Sequence, residues 1–301
     1  MDTSGWPLIR PALQDAAFLR DVQSVLRDRE STNTFHLWWL GQSGYLLHWR
    51  GAFALLDPYL SDSLTKKYQG TDKPHVRLTE RVAAPEALGF VQVVTASHAH
   101  TDHLDPETLK PLVAANPELK LIGPESIRSL MQERSGLPDR QILGLDAGLE
   151  TGPSAGGVGN YETVGPFRFH AIPAAHESLE RNPAGHCLYL GLVIRFGPWT
   201  IYHSGDTVLY SGLAERVRAF APDVALLPIN GRRPERRVSG NLWGDEAAEL
   251  ARELGARLAI PNHYDLFEFN SATPELFVQT CQRLGQGFHI LRTGERWTAP
   301  F

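Results

Sequence analysis

Four side chains able to bind metal ions lie close together in the stretch TASHAHTDHLD: His98, His100, Asp102 and His103. In an extended segment side chains alternate, so His98 and His100 project to the same side and can hold one ion. Where the chain then turns, Asp102 and His103 can offer a carboxylate and an imidazole to a second ion or to a bound water. The spacing predicts a metal centre.

Four ligands from one loop leave two ions incompletely coordinated, and three later residues are candidates to complete the set. Two ions about 3.5 to 4 Å apart need roughly two more histidines and one bridging carboxylate. Each candidate follows a predicted strand: His176 in IPAAHES, Asp206 in IYHSGDT and His263 in AIPNHYD. Strand ends are where ligand groups gather in layered α/β folds. Their closest rivals are His186 and His203, and we predict that His203 packs beside the site.

The elements that must position the cluster follow from the hydrophobic pattern. FVQVVTAS predicts a buried strand that ends before the histidines, and LDPETLKPLVAA predicts a helix with Asp105 as its N-cap and Pro106 at its first position. The cluster is therefore expected on a strand-to-helix loop. FHLWWLGQSGYLLHWRGAFALLDPYL predicts consecutive strands, with a hairpin turn at Arg50 and Gly51.

The second half of the chain also predicts several strands and a helix. NYETVGPFRFHAIPA, CLYLGLVIRF, TIYHSGD, DVALLPI and ARLAIPNH predict strands, and GDEAAELARELG predicts a helix from near Asp245 to Gly255. LETGPSAGGVGNYE is expected to be an exposed loop. We predict an N-terminal helical extension over residues 1–34 and a single α/β domain of two packed sheets flanked by helices over residues 35–301.

Composition narrows the class of protein. A 301-residue chain with 42% hydrophobic residues can bury a sizeable core, and a net charge of -5 gives no reason to expect nucleic acid or a membrane surface as partner. The only two cysteines, Cys187 and Cys281, are too few for a disulfide framework or a zinc–thiolate site. With no secretion signal and no apolar run near about 18 residues, we expect a cytoplasmic protein. The sequence is also compatible with a homo-oligomer.

The H-x-H-x-D-H signature and the single ligands after it resemble the metallo-β-lactamase superfamily. The stretches WLGQSGYLL, LLDPYLSD, YHSGDT, LPINGR, GNLWGDEAAELA and IPNHYDLFEFN resemble the branch that contains L-ascorbate-6-phosphate lactonase. The likeness covers about residues 35–298. It implies an αββα four-layer sandwich with a dimetal site at one edge between the two sheets.

The resemblance also implies a role for each ligand. One ion would be bound by His98, His100 and His176, the other by Asp102, His103 and His263, and Asp206 would bridge them. Asp57, at the end of an early strand, would orient the histidine loop without touching an ion; the alternative is an ordinary turn aspartate before Pro58.

The expected chemistry is hydrolysis by a metal-dependent enzyme. Two divalent ions lower the pKa of a shared water towards about 7, and Asp102 is the predicted catalytic residue that orients this water and moves its proton. Histidine and aspartate ligands suit zinc, with manganese or iron as alternatives. We expect a small anionic ester or lactone as substrate, a sugar-phosphate lactone included. The alternative is a phosphodiesterase, either phospholipase D-like or RNase-like.

The stretch PINGRRPERRVSGN contains the predicted substrate residues. Arg232 could hold a phosphate or carboxylate by paired hydrogen bonds, and Asn230 precedes it in the same motif. Tyr264, next to His263, could donate a hydrogen bond to a substrate oxygen. The alternatives are a solvated charged loop and an aromatic pocket wall.

Overall fold

The computed structural model describes residues 8–27, 33–148, 160–236 and 239–300. Within these ranges, seven strands form the first sheet: β1 (His36–Gly41), β2 (Gly44–Trp49), β3 (Ala52–Leu56), β4 (Val93–Thr95), β5 (Lys120–Pro124), β6 (Ile142–Leu145) and β13 (Arg296–Thr298). Six strands of the same described ranges form the second sheet: β7 (Tyr161–Val164), β8 (Phe167–Pro173), β9 (Leu190–Phe196), β10 (Trp199–His203), β11 (Val224–Pro228) and β12 (Leu258–Asn262).

Both sheets combine antiparallel and parallel strands. The spatial order is β13-β1-β2-β3-β4-β5-β6 in the first and β12-β11-β10-β9-β8-β7 in the second. Strands β1 to β3 form an antiparallel meander, and β3 to β6 run parallel. The predicted hairpin turn is confirmed, because Arg50 and Gly51 have φ angles of 53° and 81° between β2 and β3.

Helices α1 (Asp15–Ser24), α3 (Pro106–Ala115) and α4 (Arg128–Ser135) pack on the outer face of the first sheet, and α5 (Leu213–Arg218), α6 (Gly244–Leu254) and α7 (Glu275–Leu284) pack on that of the second. The short helix α2 (Ser63–Lys67) instead packs through Leu64 against Tyr59 and Phe267. Side chains alternate along β1, so Trp39 joins the core between the sheets while Trp38 joins the core under α1, α3 and α4. Helices α5, α6 and α7 contribute apolar side chains to the core of the second sheet. The predicted helix–sheet–sheet–helix layering is confirmed.

Helix α1 packs on the first sheet. Phe18 contacts Trp38 edge-on with ring centroids 6.4 Å apart, and the Trp38 indole donates to Asp21 at 2.8 Å. Within the described part of the predicted helical extension over residues 1–34, the α-helix covers Asp15–Ser24. Residues 149–159 of the predicted loop lie outside the described residues. None of the helices in the described ranges has both the length and the apolar character needed to span a membrane.

Strand direction decides where the site can form. Strands β3 and β4 run parallel, β8 and β10 both run antiparallel to β9, and β10 to β12 run parallel. In each sheet the carboxyl ends of these strands therefore meet at one edge. Helix α3 begins after β4 as predicted, because Asp105 accepts from the backbone N–H of Glu107 and Pro106 takes the first helical position.

Candidate metal centre

The seven predicted ligands all lie within three residues of a strand end or on the loop that follows one. His98, His100, Asp102 and His103 follow β4, His176 follows β8, Asp206 follows β10 and His263 follows β12. The first sheet thus supplies one loop and the second sheet supplies three single residues. The structure brings all seven together between the sheets.

One group of ligand atoms comes from His98, His100 and His176, which lie within 4.8 Å of one another. The Nε2 atom of His98 is 2.9 Å from the Nδ1 atom of His100. His176 donates from Nδ1 to the carbonyl oxygen of Gly240 at 2.9 Å, which leaves its Nε2 facing the group. Three imidazole nitrogens therefore converge on one point.

A second group comes from Asp102, His103 and His263, again within 4.8 Å. The Oδ2 atom of Asp102 lies 3.7 Å from the Nε2 atoms of both histidines. His263 adopts a left-handed backbone with φ 67°, a conformation that non-glycine residues rarely hold unless their surroundings impose it.

Asp206 lies between the two groups. Its Oδ1 is 3.3 Å from His103 Nε2, and its Oδ2 is 3.5 Å from His176 Nε2 and 3.3 Å from His263 Nε2. The residue before it must be glycine: Gly205 has φ 57°, and a Cβ there would lie 2.7 Å from the Cβ of Ser97. This close approach brings the Asp206 turn against the start of the histidine loop.

The electrostatics favour the deprotonated, metal-binding forms of Asp206 and His98. Burial alone would raise the pKa of Asp206, but His263 and His103 outweigh it and hold that pKa well below its usual range. Burial, together with the charges of His103 and His100, keeps the pKa of His98 well below its ordinary value. Both side chains therefore present lone pairs to the centre.

The cluster fits a divalent cation. Among the described residues, His103 Nε2 and Asp206 Oδ1 are buried without a hydrogen-bond partner. A buried polar atom left unpaired costs about 1 to 3 kcal/mol, and a cation between the two groups would satisfy both atoms. Five imidazoles and two carboxylates are donors that zinc, manganese and iron accept.

Asp57 forms hydrogen bonds with the start of the histidine loop and with His103. Its buried carboxylate accepts hydrogen bonds from Ser97 N at 3.1 Å, Thr95 Oγ1 at 2.8 Å and His103 Nδ1 at 2.8 Å. Burial would raise the pKa of Asp57, yet the hydrogen bond from His103 and the charge of His203 lower it. Asp57 therefore connects the backbone at the start of the histidine loop to the His103 ring. His203 is itself buried and donates from Nε2 to the carbonyl oxygen of Ser43 at 2.9 Å.

The three predicted substrate residues contact other groups of the protein. Arg232 forms a two-point ion pair with Glu246, with both N–O distances 2.6 Å, because the start of α6 packs against its loop. The Tyr264 hydroxyl donates to the carbonyl oxygen of Leu291. Asn230 is buried and accepts from Asn241 Nδ2 at 3.0 Å. In the described part of the chain, none of these three predicted residues lines the cavity over the metal cluster.

That cavity has a volume of about 410 Å³ and a basic wall. His100, Asp102, His176 and Asp206 lie in it, and Lys67, Lys73 and Arg134 line it. Sequence reasoning missed the two lysines, although the stretch TKKYQGTDK is rich in lysine. Arg134 donates from Nη1 to the carbonyl oxygens of Ala99 and Leu104 at 2.7 and 3.1 Å, and so fixes the backbone of the histidine loop.

Comparisons with known proteins agree with this geometry. A family model described as a β-lactamase superfamily domain matches residues 54–264. The chain belongs to the metallo-β-lactamase superfamily. A UPF0173 metal-dependent hydrolase from Methanoculleus marisnigri is 31% identical over 196 residues, which cover 64% of this chain and 74% of the relative. Another from Myxococcus xanthus is 28% identical over 255 residues, covering 82% and 76%.

Solved structures share the metallo-β-lactamase fold. Igni18, a metallo hydrolase from Ignicoccus hospitalis, superposes with a TM-score of 0.62 at 21% identity, over 89% of this chain and 99% of that one. The predicted fold is thereby confirmed, and so is the predicted enzyme class, because the curated relatives of this metallo-β-lactamase superfamily member are named metal-dependent hydrolases. Neither curated relative's name specifies a substrate.

Proposed function

We propose that the protein is a dimetal hydrolase of a small anionic ester or lactone, a sugar-phosphate lactone included. His98, His100 and His176 would hold one ion and Asp102, His103 and His263 the other, with Asp206 shared between them. When bound, two such ions polarise the scissile group and lower the pKa of a water towards about 7. Zinc suits the donor set, with manganese or iron as alternatives.

Asp102 is the residue proposed to handle the proton. It is half-buried and lines the cavity, so its carboxylate can reach a water there. Burial would raise the pKa of Asp102, but His103 and His263 outweigh this effect and lower it. The carboxylate is therefore an acceptor at neutral pH, able to orient a water and receive its proton.

The charge of the cavity wall is the observation that supports an anionic substrate. Among its described lining residues the acidic ones, Asp102 and Asp206, belong to the metal cluster, whereas Lys67, Lys73 and Arg134 are cations. Lys67 reaches over the Tyr68 ring, 5.2 Å from its centroid, and lies 3.4 Å from Thr101 Oγ1 on the histidine loop. A phosphate or carboxylate on the substrate would meet these cations while its reactive bond faces the cluster.

The test is a hydrolysis screen of the metal-loaded protein against lactones, phosphorylated lactones, phosphodiesters and β-lactams, with and without a chelator. We expect chelator-sensitive hydrolysis of an anionic lactone or ester. Activity confined to phosphodiesters would instead support the phospholipase D-like or RNase-like alternative. A fully loaded protein that hydrolyses no member of the panel overturns the proposal.

A further inference from the structure

Gln42 is held firmly in the turn between β1 and β2. It is 1% exposed and has φ 50°, a left-handed conformation that costs a non-glycine residue about 1 kcal/mol or more. Its backbone oxygen accepts from the indole N–H of Trp39 at 2.9 Å and from His263 N at 3.1 Å. The turn therefore fixes Gln42 directly beside the His263 ligand.

The side chain of Gln42 reaches into the metal cluster. Its Nε2 lies 2.9 Å from Asp102 Oδ2 and 3.2 Å from His263 Nε2. Two atoms bound to one ion at about 2.1 Å stand about 3.0 to 3.4 Å apart, depending on the angle between them. The end of the Gln42 amide thus stands at ligand-to-ligand spacing from two members of the second group.

The amide oxygen of Gln42, Oε1, is buried and has no hydrogen-bond partner among the described residues. With a cation bound, Asp102 and His263 direct lone pairs at it, and an N–H aimed at the same point would face a positive charge. A half-turn about the last side-chain bond exchanges the amide nitrogen and oxygen. That exchange gives the unpartnered oxygen a cation to bind.

We infer that the Gln42 carboxamide oxygen is a further ligand for the ion held by Asp102, His103 and His263. An amide oxygen is a hard donor of the kind that manganese, magnesium and calcium prefer, so Gln42 biases this position towards a harder ion than the three imidazoles of the other group select. This inference rests on the two-ion centre proposed above and is independent of the substrate.

The test compares metal binding to chelator-stripped protein in three variants. Gln42→Met keeps the length of the side chain and removes its oxygen, and Gln42→Glu keeps an oxygen. Gln141→Met removes a buried amide, remote from the cluster, that donates to the carbonyl oxygens of Pro117 and Leu119. Calorimetric titration with Mn²⁺ and with Zn²⁺, checked by elemental analysis, gives the affinity for each ion. We expect Gln42→Met to weaken the second Mn²⁺ site by about tenfold or more and the Zn²⁺ site less. Gln42→Glu should retain the second Mn²⁺ site, because its carboxylate oxygen can also bind the ion, and Gln141→Met should bind both ions like the original protein.

Three results overturn the inference: unchanged second-site affinity in Gln42→Met, equal losses in Gln42→Met and Gln42→Glu, or uptake of a single ion by the original protein. If Gln42→Met fails to fold, a crystal structure of the Mn²⁺-loaded original protein tests the inference instead. The Oε1 atom of Gln42 should lie within about 2.3 Å of the ion, and a separation above about 3 Å would contradict the inference. Because no substrate is used, loss of the second ion in Gln42→Met together with a silent hydrolysis screen refutes the proposed activity while supporting this ligand.

Discussion

His103 Nδ1 lies 2.8 Å from Asp57 Oδ2, and both side chains are fully buried. A proton shared in this contact belongs on Nδ1 when the histidine is neutral, so the lone pair of Nε2 points towards the ligand cluster. The same carboxylate accepts from the backbone N–H of Ser97. One aspartate therefore fixes both the ring and the backbone of the metal-binding loop.

The first prediction concerns this contact. Asp57→Asn removes the charge that favours the correct histidine tautomer, and we expect metal affinity to fall by about 10- to 100-fold with the circular dichroism spectrum unchanged. Competition with a chromogenic chelator measures the affinity. Asp62→Asn, at a partly exposed aspartate that pairs with Arg77, is the control. Equal affinity in Asp57→Asn and the original protein would remove Asp57 from the metal site.

The second prediction separates the two groups of ligands. His100 belongs to one group, whereas Asp206 contacts histidines of both. His100→Ala should lose one ion per chain and Asp206→Ala should weaken both, as measured by elemental analysis after dialysis. His289→Ala, outside the cluster, serves as the control. Two tightly held ions in either of the first two variants would refute the ligand assignment.

The third prediction concerns the basic wall. The double variant Lys67→Ala with Lys73→Ala should raise KM for an anionic substrate by about tenfold or more and leave a neutral analogue unaffected, since paired contacts to an anion contribute about 1.5 to 3 kcal/mol. Arg232→Ala is the matched control, because its guanidinium is paired with Glu246. A larger KM effect in Arg232→Ala than in the lysine variant would reverse this assignment.

The fourth prediction concerns Arg134. Arg134→Met keeps much of the side-chain volume but frees the carbonyl oxygens of Ala99 and Leu104, so the histidine loop loses two charge-assisted hydrogen bonds. We expect the free energy of unfolding of the metal-free protein to fall by about 1 to 3 kcal/mol. Urea denaturation measures it. Arg140→Met, at an exposed arginine, should leave it unchanged; equal effects in both variants would contradict the role of Arg134.

The fifth prediction concerns pH. Burial, with the charges of Arg195 and Arg168, lowers the pKa of His170 to about 4. In the unfolded chain the histidine has an ordinary pKa near 6.5, so between these two pH values it binds more protons there than in the folded protein. The contribution of His170 to the free energy of unfolding is therefore fully present above about pH 6.5 and is lost as the pH falls towards 4. His170→Phe preserves ring packing against Phe220.

The measurement is urea unfolding at pH 7 and pH 5. The original protein should lose about 1 to 2 kcal/mol more than His170→Phe between these two values, because the variant lacks the proton-binding group. Other titrating groups are common to both proteins and cancel in the comparison. An identical loss in the two proteins would show that His170 does not couple protonation to folding.

The convergence of the seven candidate ligands could be predicted from the sequence because its signal is local. Short, largely apolar runs mark the strands, and His176, Asp206 and His263 each follow such a strand. The substrate residues carry no such signal. Whether Arg232 faces a ligand or Glu246 depends on how α6 packs against its loop, and Lys67 reaches the cavity because α2 lies over the histidine loop. Both contacts depend on tertiary packing, which local sequence patterns do not predict.

The division of the ligands between the sheets sets the order in which the protein can mature. The loop with His98 leaves the ribosome early, but its partner His263 follows β12, and β13 near the carboxyl end closes the first sheet against β1. During synthesis the first group is complete once His176 has emerged, whereas the second group lacks a ligand until His263 has emerged. The second group of candidate ligands can therefore be completed only after the first, once β12 and the residue that follows it have formed.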